Sequence, residues 1–463
     1  MISDTSPPRS RHDLLITGGR AVTPEGVREV DIAVDGGKVT ALLERGHRAT
    51  AAHVRDVTGC HVLPGLIDSH VHFRTPGLTH KEDWPHGSRA AAAGGVTTVI
   101  DMPNTQPPLL DPAKVSERAE LVAGRSLVDF RFHLGTSPET LDRLKALTPQ
   151  DATSVKIFMA GHHTAPNVLR SPSDLRRAFE FAAGQSVLLV LHAEADAVFA
   201  LLDAAGAPPA QYRDYERARP RSGGIVAVTQ VIELVQRYGT HAHILHVSSA
   251  EEVQLLIAAR RSGLPISFEL TGHHLSFTAA DSARQGARLR LSPSIRSAED
   301  QEALWAALLS GEAGTLGSDH APHTVEEKTR GVAQAPPGIP GVQELATAVF
   351  TGMRRRQPEA PADRHLVLLA EHLARRPAEL FGLAHRKGSI VPGLDADLVV
   401  FDADRPWMVT AADLHTKAGW SAYEGWTMAG RVLATVRRGE VIWDQAEGRF
   451  GSPVGVLLNP DCP

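Results

Sequence analysis

Two histidines one residue apart, His70 and His72, end the run Leu63-Pro64-Gly65-Leu66-Ile67-Asp68-Ser69-His70-Val71-His72-Phe73-Arg74. In a β-strand, residues i and i+2 share a face, so the two imidazoles stand side by side with Arg74 next in line. That convergence suits a divalent transition metal, although a polar pair leaving a strand has the same spelling. Four more potential ligands follow, each tied to an apolar run. Lys156 sits inside Ser154-Val155-Lys156-Ile157-Phe158-Met159, where a lone lysine would otherwise snorkel or pair with an acid. His192 closes Val187–His192 and His246 lies in His243–Ser249; either, taken singly, could be a satisfied core histidine. Asp319 follows Gly314–Ser318 and could equally cap the next helix. Six such residues at successive strand ends are hard to explain as independent accidents.

The elements that must position them alternate. From Pro64 to Leu383, strand-like runs at Val96–Asp101, Asp129–Leu134, Ser154–Phe158, Val187–His192, Ala242–Val247, Ile266–Leu270 and Gly314–Ser318 are separated by amphipathic stretches. Helices are expected at Leu175–Ala183, Ile225–Tyr238, Ala250–Arg261 and Ala298–Leu309. Repeated βα units imply a parallel sheet, and eight of them close a (β/α)8 barrel with its chemistry at the C-terminal strand ends. The flanks read differently. Short strands and Gly-rich turns fill Leu14–Thr58, and the same texture returns from Gly388 to Trp443. Two β-rich ends suggest one discontinuous domain built from both termini, or else two unrelated small sheets. The expected division is a tail over 1–11, a β-sandwich from 12–63 plus 386–450, a barrel over 64–385 and a C-terminal tail over 451–463.

Composition is that of an ordinary globular enzyme: 463 residues, 42% hydrophobic and 22% charged. A net charge of −5 and a pI near 6.5 give no basic surface for nucleic acid. Two cysteines, Cys60 and Cys462, argue against a disulfide framework and point to a reducing cytoplasm. Met1–Arg11 is polar, without the apolar stretch of a signal peptide, and no run is long enough for a membrane span.

The ordered set of an HxH pair, a strand lysine, two strand-end histidines and a final aspartate resembles the amidohydrolase superfamily. The strings PGLIDSHVHFR, DMPNTQPP, VKIFMAG, LHAEA, HILHVSSAE, SDHAPHTVEEK and PGIPGVQE look like those of dihydroorotases within its cyclic-amidase branch. The resemblance runs from about residue 12 to 445. It implies a distorted (β/α)8 TIM barrel with a small β-sandwich domain built from both chain termini. It also implies two divalent metals bridged by a CO2-derived carbamate on Lys156, with His70, His72 and Asp319 on one and His192 and His246 on the other. Such an N/O donor set suits zinc and admits manganese, cobalt or iron. A hydroxide shared by the metals would attack a cyclic amide, one metal would stabilise the oxyanion, and Asp319 would carry the proton to the leaving nitrogen.

In dihydroorotases the residues matching Arg74, Asn104 and His323 hold the substrate carboxylate, which implies an acidic cyclic amide and, for Arg74, a bidentate pair. One position departs. Ser292, in Leu291-Ser292-Pro293-Ser294, stands where dihydroorotases usually carry Asn and where allantoinases and hydantoinases carry Ser. His162-His163 reads as a polar loop, and His273-His274 as a structural pair behind the site. Gly338-Ile339-Pro340-Gly341 resembles a substrate loop. The leading expectation is reversible hydrolysis of L-dihydroorotate to N-carbamoyl-L-aspartate in pyrimidine synthesis. Its rivals are an allantoinase or hydantoinase-like ring amidase and a silent assembly partner, the last disfavoured because no ligand is missing. A homo-oligomer, dimer or tetramer, is expected.

Overall fold

The computed structural model describes residues 11–148, 151–152, 154–161, 167–206 and 209–459. The expected N-terminal tail up to residue 10, and the pair His162–His163, lie outside them. Eight parallel strands carry the candidate site: Leu66–Val71, Val96–Asp101, Asp129–Phe132 continued as Leu134–Gly135, Val155–Phe158, Leu189–His192, Ala242–Ile244, Ile266–Thr271 and Thr315–Gly317. Neighbours in sequence are neighbours in space. The hydrogen-bonded ladder is interrupted at His133, whose ring spans Ser154 Oγ at 2.5 Å and the Ser69 carbonyl at 2.8 Å. The first and last strands meet through one parallel bridge, Val71 to His320, where the His72 amide donates to the His320 carbonyl at 2.8 Å. The strands are buried on both faces, which is why they read as continuous apolar runs.

Helices Ala250–Arg261 and Ala298–Leu309 fall where their periodicity puts them, each opened by a capping box, Ser249 with Glu252 and Ser297 with Asp300. Two strands end earlier than expected. Pairing expected to run to Val247 and Ser318 stops at Ile244 and Gly317. His246 and Asp319, each two residues farther on, take φ values of 39° and 43°, and a left-handed residue cannot continue a strand.

The chain's two ends share one sandwich. One sheet has the order Lys38–Glu44, Val30–Asp35, His12–Thr17, Ala51–Asp56. In the other, Leu398–Asp402 from the C-terminal part pairs antiparallel with His61–Pro64 from the N-terminal part. This strand faces two cores at once: Leu398 and Val400 pack into the sandwich, while Val399 and Phe401 join the barrel core. Beyond the sandwich, residues 451–459 are anchored rather than free: Leu458 is fully buried and its amide donates to the Phe130 carbonyl at 2.9 Å.

Beneath the barrel, away from the strand ends that carry the site, Lys387 is buried among three carboxylates. Its Nζ lies 2.7 Å from Asp129 Oδ2, 2.7 Å from Asp397 Oδ2 and 3.0 Å from Asp395 Oδ2. Burial opposes the charge, yet the three acids outweigh it and raise the lysine pKa. Asp129 belongs to the third barrel strand and Asp397 precedes the two-faced strand, so the lysine ties barrel to sandwich. Lys387→Met should lower unfolding stability by about 3–5 kcal/mol, the usual result of stranding buried charge. Denaturant melts would measure it; unchanged stability would show that water already solvates these acids.

Candidate active site

At the C-terminal ends of the strands a narrow cleft of about 30 Å³ is lined by His70, His72, Lys156, His192, His246 and Asp319, with Arg74, Ser292 and Gly338 around its rim. Three of these, Arg74 (φ 59°), His246 and Asp319, belong to the five non-glycine residues with left-handed backbone among the described residues. Such strain persists where surrounding structure over-determines it, and it clusters at functional sites. Asp319 Oδ1 lies 3.2 Å from Nε2 of both His70 and His72. His192 Nδ1 faces His246 Nε2 at 3.0 Å. His70, His246 and Asp319 each offer a ligand atom within 4.8 Å of the others.

The outer nitrogens decide what the inner ones can do. His70 Nδ1 donates to Glu269 Oε1 at 2.8 Å, His72 Nδ1 to Asn104 Oδ1 at 2.8 Å and His192 Nε2 to Glu194 Oε2 at 2.9 Å. With the outer nitrogen committed to its acceptor, the nitrogen each ring turns inward is the one left for a metal, the arrangement in which histidine binds metal once it carries no second proton. Burial, with Arg74 and His70 nearby, outweighs Asp319 and takes the His72 pKa down to about 3. His70 goes the other way. Burial would lower it, but Asp319 and Glu269 on its two sides raise it to about 9, so this corner carries more negative than positive charge. Inward-facing ring nitrogens beside two buried carboxylates fit a divalent cation, which would take the place of the second proton on His70.

Lys156 is 1% exposed, lies 4.6 Å from the Phe158 ring, and its amine makes no hydrogen bond among the described residues. Burial lowers its pKa to about 7 against the pull of Asp319 and Glu269. A large share of the amine is therefore uncharged near neutrality, the form that adds to CO2.

The four residues expected to touch substrate separate into two pairs. Arg74 is 2% exposed and lines the cleft with Nε and Nη1 lacking partners, and burial lowers its pKa to about 10. Ser292 also lines it, its hydroxyl donating to Glu194 Oε2 at 3.0 Å. Asn104 and His323 do not line it. Asn104 orients His72, as above. His323 is spent behind the rim: Nε2 donates to the Pro337 carbonyl at 2.9 Å and Nδ1 sits 3.1 Å from Lys81 Nζ. Both ring nitrogens are engaged, so His323 supports the Pro337–Gly338 rim instead of reaching the cleft. Gly338 must be glycine there: its φ is 126° and a Cβ would lie 2.5 Å from the Ala321 carbonyl oxygen. His274 Nε2 reaches the Pro293 carbonyl at 3.3 Å and so braces the Ser292 turn.

Sequence reading missed Glu194 and Glu269. Glu269 interrupts the apolar strand Ile266–Thr271, the same signal that singled out Lys156. Glu194, two residues after His192, sits 1% exposed between His192, Ser292 and Arg296.

Comparison with known proteins gives a consistent picture. An allantoinase of Deinococcus radiodurans is 34% identical over 454 residues, covering 97% of this chain and 99% of that protein. An allantoinase of Streptomyces avermitilis is 33% identical over 449 residues, 96% of this chain and 98% of that protein. Among solved structures, an L-hydantoinase (dihydropyrimidinase) from Arthrobacter aurescens superposes with a TM-score of 0.90 at 29% identity, covering 97% and 100% of the two chains. The sequence expectation named dihydroorotases; these relatives carry the names of its rival. The model of the amidohydrolase family matches residues 61–442, and with relatives above 30% identity along nearly the whole chain, this protein belongs to the amidohydrolase family.

Proposed function

We propose that the chain is a metal-dependent hydrolase of cyclic amides, of the allantoinase and hydantoinase kind. The observation that carries the reading is the convergence of His70, His72, Lys156, His192, His246 and Asp319 on one cleft that Ser292 also enters. His70, His72 and Asp319 would hold one divalent ion, His192 and His246 a second, and Lys156 as its carbamate would lie between them. When bound, such ions polarise the ring carbonyl and bring the pKa of water down to about 7. The chain's own groups do the rest. Asp319 Oδ1 is directed at the two imidazoles, which leaves Oδ2 to take the proton of the attacking water and hand it to the departing ring nitrogen. Glu194 accepts both the His192 N–H and the Ser292 hydroxyl, so Ser292 meets the ring with an oxygen lone pair toward a ring N–H.

A second reading, L-dihydroorotate as substrate, is favoured by one feature: the two partnerless nitrogens of buried Arg74 suit a carboxylate. Assays of the purified enzyme on allantoin, hydantoin and dihydroorotate side by side separate the two. Turnover of allantoin or hydantoin above dihydroorotate is the expected result; the reverse order would restore dihydroorotase. The variant Arg74→Met adds a second test. On a ring bearing a carboxylate, loss of a charge-assisted pair of roughly 1.5–3 kcal/mol should cut kcat/KM about 10- to 100-fold, with far less change on hydantoin. Equal losses on both would assign Arg74 to the site's architecture.

A further inference from the structure

A second cavity, unused by this chemistry, opens between the sandwich and the helices Trp84–Ala93 and Leu345–Arg356. At about 250 Å³ it is far larger than the cleft, and it has aromatic walls, Trp407 and Trp443. Some polar groups around it are satisfied internally. Gln343 donates to the Asp413 carbonyl at 2.6 Å and accepts from the His415 amide at 3.0 Å, and Trp407 Nε1 donates to the Gly430 carbonyl at 3.1 Å. Three are not. The His415 imidazole packs on the rings of Trp443 and Phe450, with centroids at 5.2 and 4.8 Å, and neither ring nitrogen has a hydrogen-bond partner among the described residues. The Gln445 carboxamide has none either. The Arg431 guanidinium lies 5.3 Å from the Trp407 ring centre, and its nearest acid, Asp413 Oδ1, is 3.7 Å away, beyond hydrogen-bond length. The other oxygen of Asp413 is occupied by Thr410. Arg431 and Asp413 are the charged residues of the lining, and Arg89 and Arg405 add positive charge nearby.

We infer that this cavity binds a small planar heterocycle bearing a carboxylate, its ring against the indoles, its carboxylate on Arg431 and its ring heteroatoms on Gln445 and His415. Flat aromatic walls favour a flat ring, and a partly desolvated guanidinium favours an anion over an isosteric amide. Hydrogen bonds also link the cavity wall to the residue beside Asp319. Thr416, next to His415, donates to Glu82 Oε2 at 2.5 Å, and the same oxygen accepts from His320 Nε2 at 3.2 Å. On the other side of the ring, His320 Nδ1 accepts from the Gly341 amide at 3.1 Å, two residues before Gln343. Both nitrogens of His320, the residue after Asp319, are thus held by segments that shape the cavity, and an occupant that shifts them changes turnover.

Calorimetric titration of the full chain with nicotinate and quinoline-2-carboxylate, against their carboxamides, tests this. Expected are saturable binding of at least one carboxylate, at least tenfold weaker binding of its amide, and a tenfold or greater loss in both Arg431→Gln and the cavity-filling Gln445→Trp. Both variants should keep wild-type kcat/KM without the probe, while saturating probe should alter kcat or KM of the wild type only. No saturable binding, or binding that both variants leave intact, overturns the site; binding with unaltered wild-type kinetics overturns the link to Asp319. Should Arg431→Gln melt early, Gln445→Trp carries the test alone.

Discussion

Lys156→Ala is expected to lose at least about 10³-fold in kcat/KM, equivalent to the several kcal/mol that metal polarisation supplies to such reactions. The amine sits fully buried within a strand, beside Asp319 and Glu269 yet bonded to neither, and its pKa of about 7 keeps much of it neutral. A neutral buried amine adds CO2 readily, and the product is an anion with two oxygens where the wild-type side chain offers one nitrogen. Removing it should cost about one metal per chain, read by atomic emission. A short carboxylate such as acetate or propionate added to the variant should restore part of the activity, since it supplies the missing oxygens without the chain. An alanine variant with full activity and full metal content would sink the bridging role.

Asp319→Asn should drop turnover by at least about 10²-fold, the lower end of what general acid–base catalysis contributes. Burial would raise the carboxyl pKa, but His70 and His72 outweigh it and hold the group well below the usual range, so it is an anion throughout neutral pH. The amide keeps the shape and one coordinating oxygen but cannot take a proton. Substantial retained metal with lost turnover is therefore the expected signature. Parallel loss of both would make Asp319 a ligand alone, and a fully active variant would place the proton transfer elsewhere.

The ligand candidates were legible because each breaks an apolar pattern. Lys156, His192, His70 and His72 are polar residues within or ending strands that a barrel must bury, and the penalty for burying them unpartnered makes their presence informative. The strand–helix alternation was legible for the same reason: burial on both faces imposes apolar runs, and capping boxes at Ser249 and Ser297 mark where helices start. The two-residue turn Gly36-Gly37 was also readable, since glycine favours the positive φ that both residues take.

What the sequence could not contain is which side chain takes which partner. Arg74, Asn104 and His323 look alike as polar residues after strands, yet only Arg74 reaches the cleft, while Asn104 goes to His72 and His323 to Pro337. Glu82, Glu194 and Glu269 gain their roles from partners 238, 98 and 199 positions away in the chain, His320, Ser292 and His70. The sandwich is decided in the same way, when Leu398–Asp402 pairs with His61–Pro64 across the whole barrel. Periodicity and local capping depend on neighbours a few residues apart, so the sequence by itself determined the elements and the chemistry they carry. Hydrogen-bond partnership between distant segments depends on chain closure, and only the tertiary structure decides it.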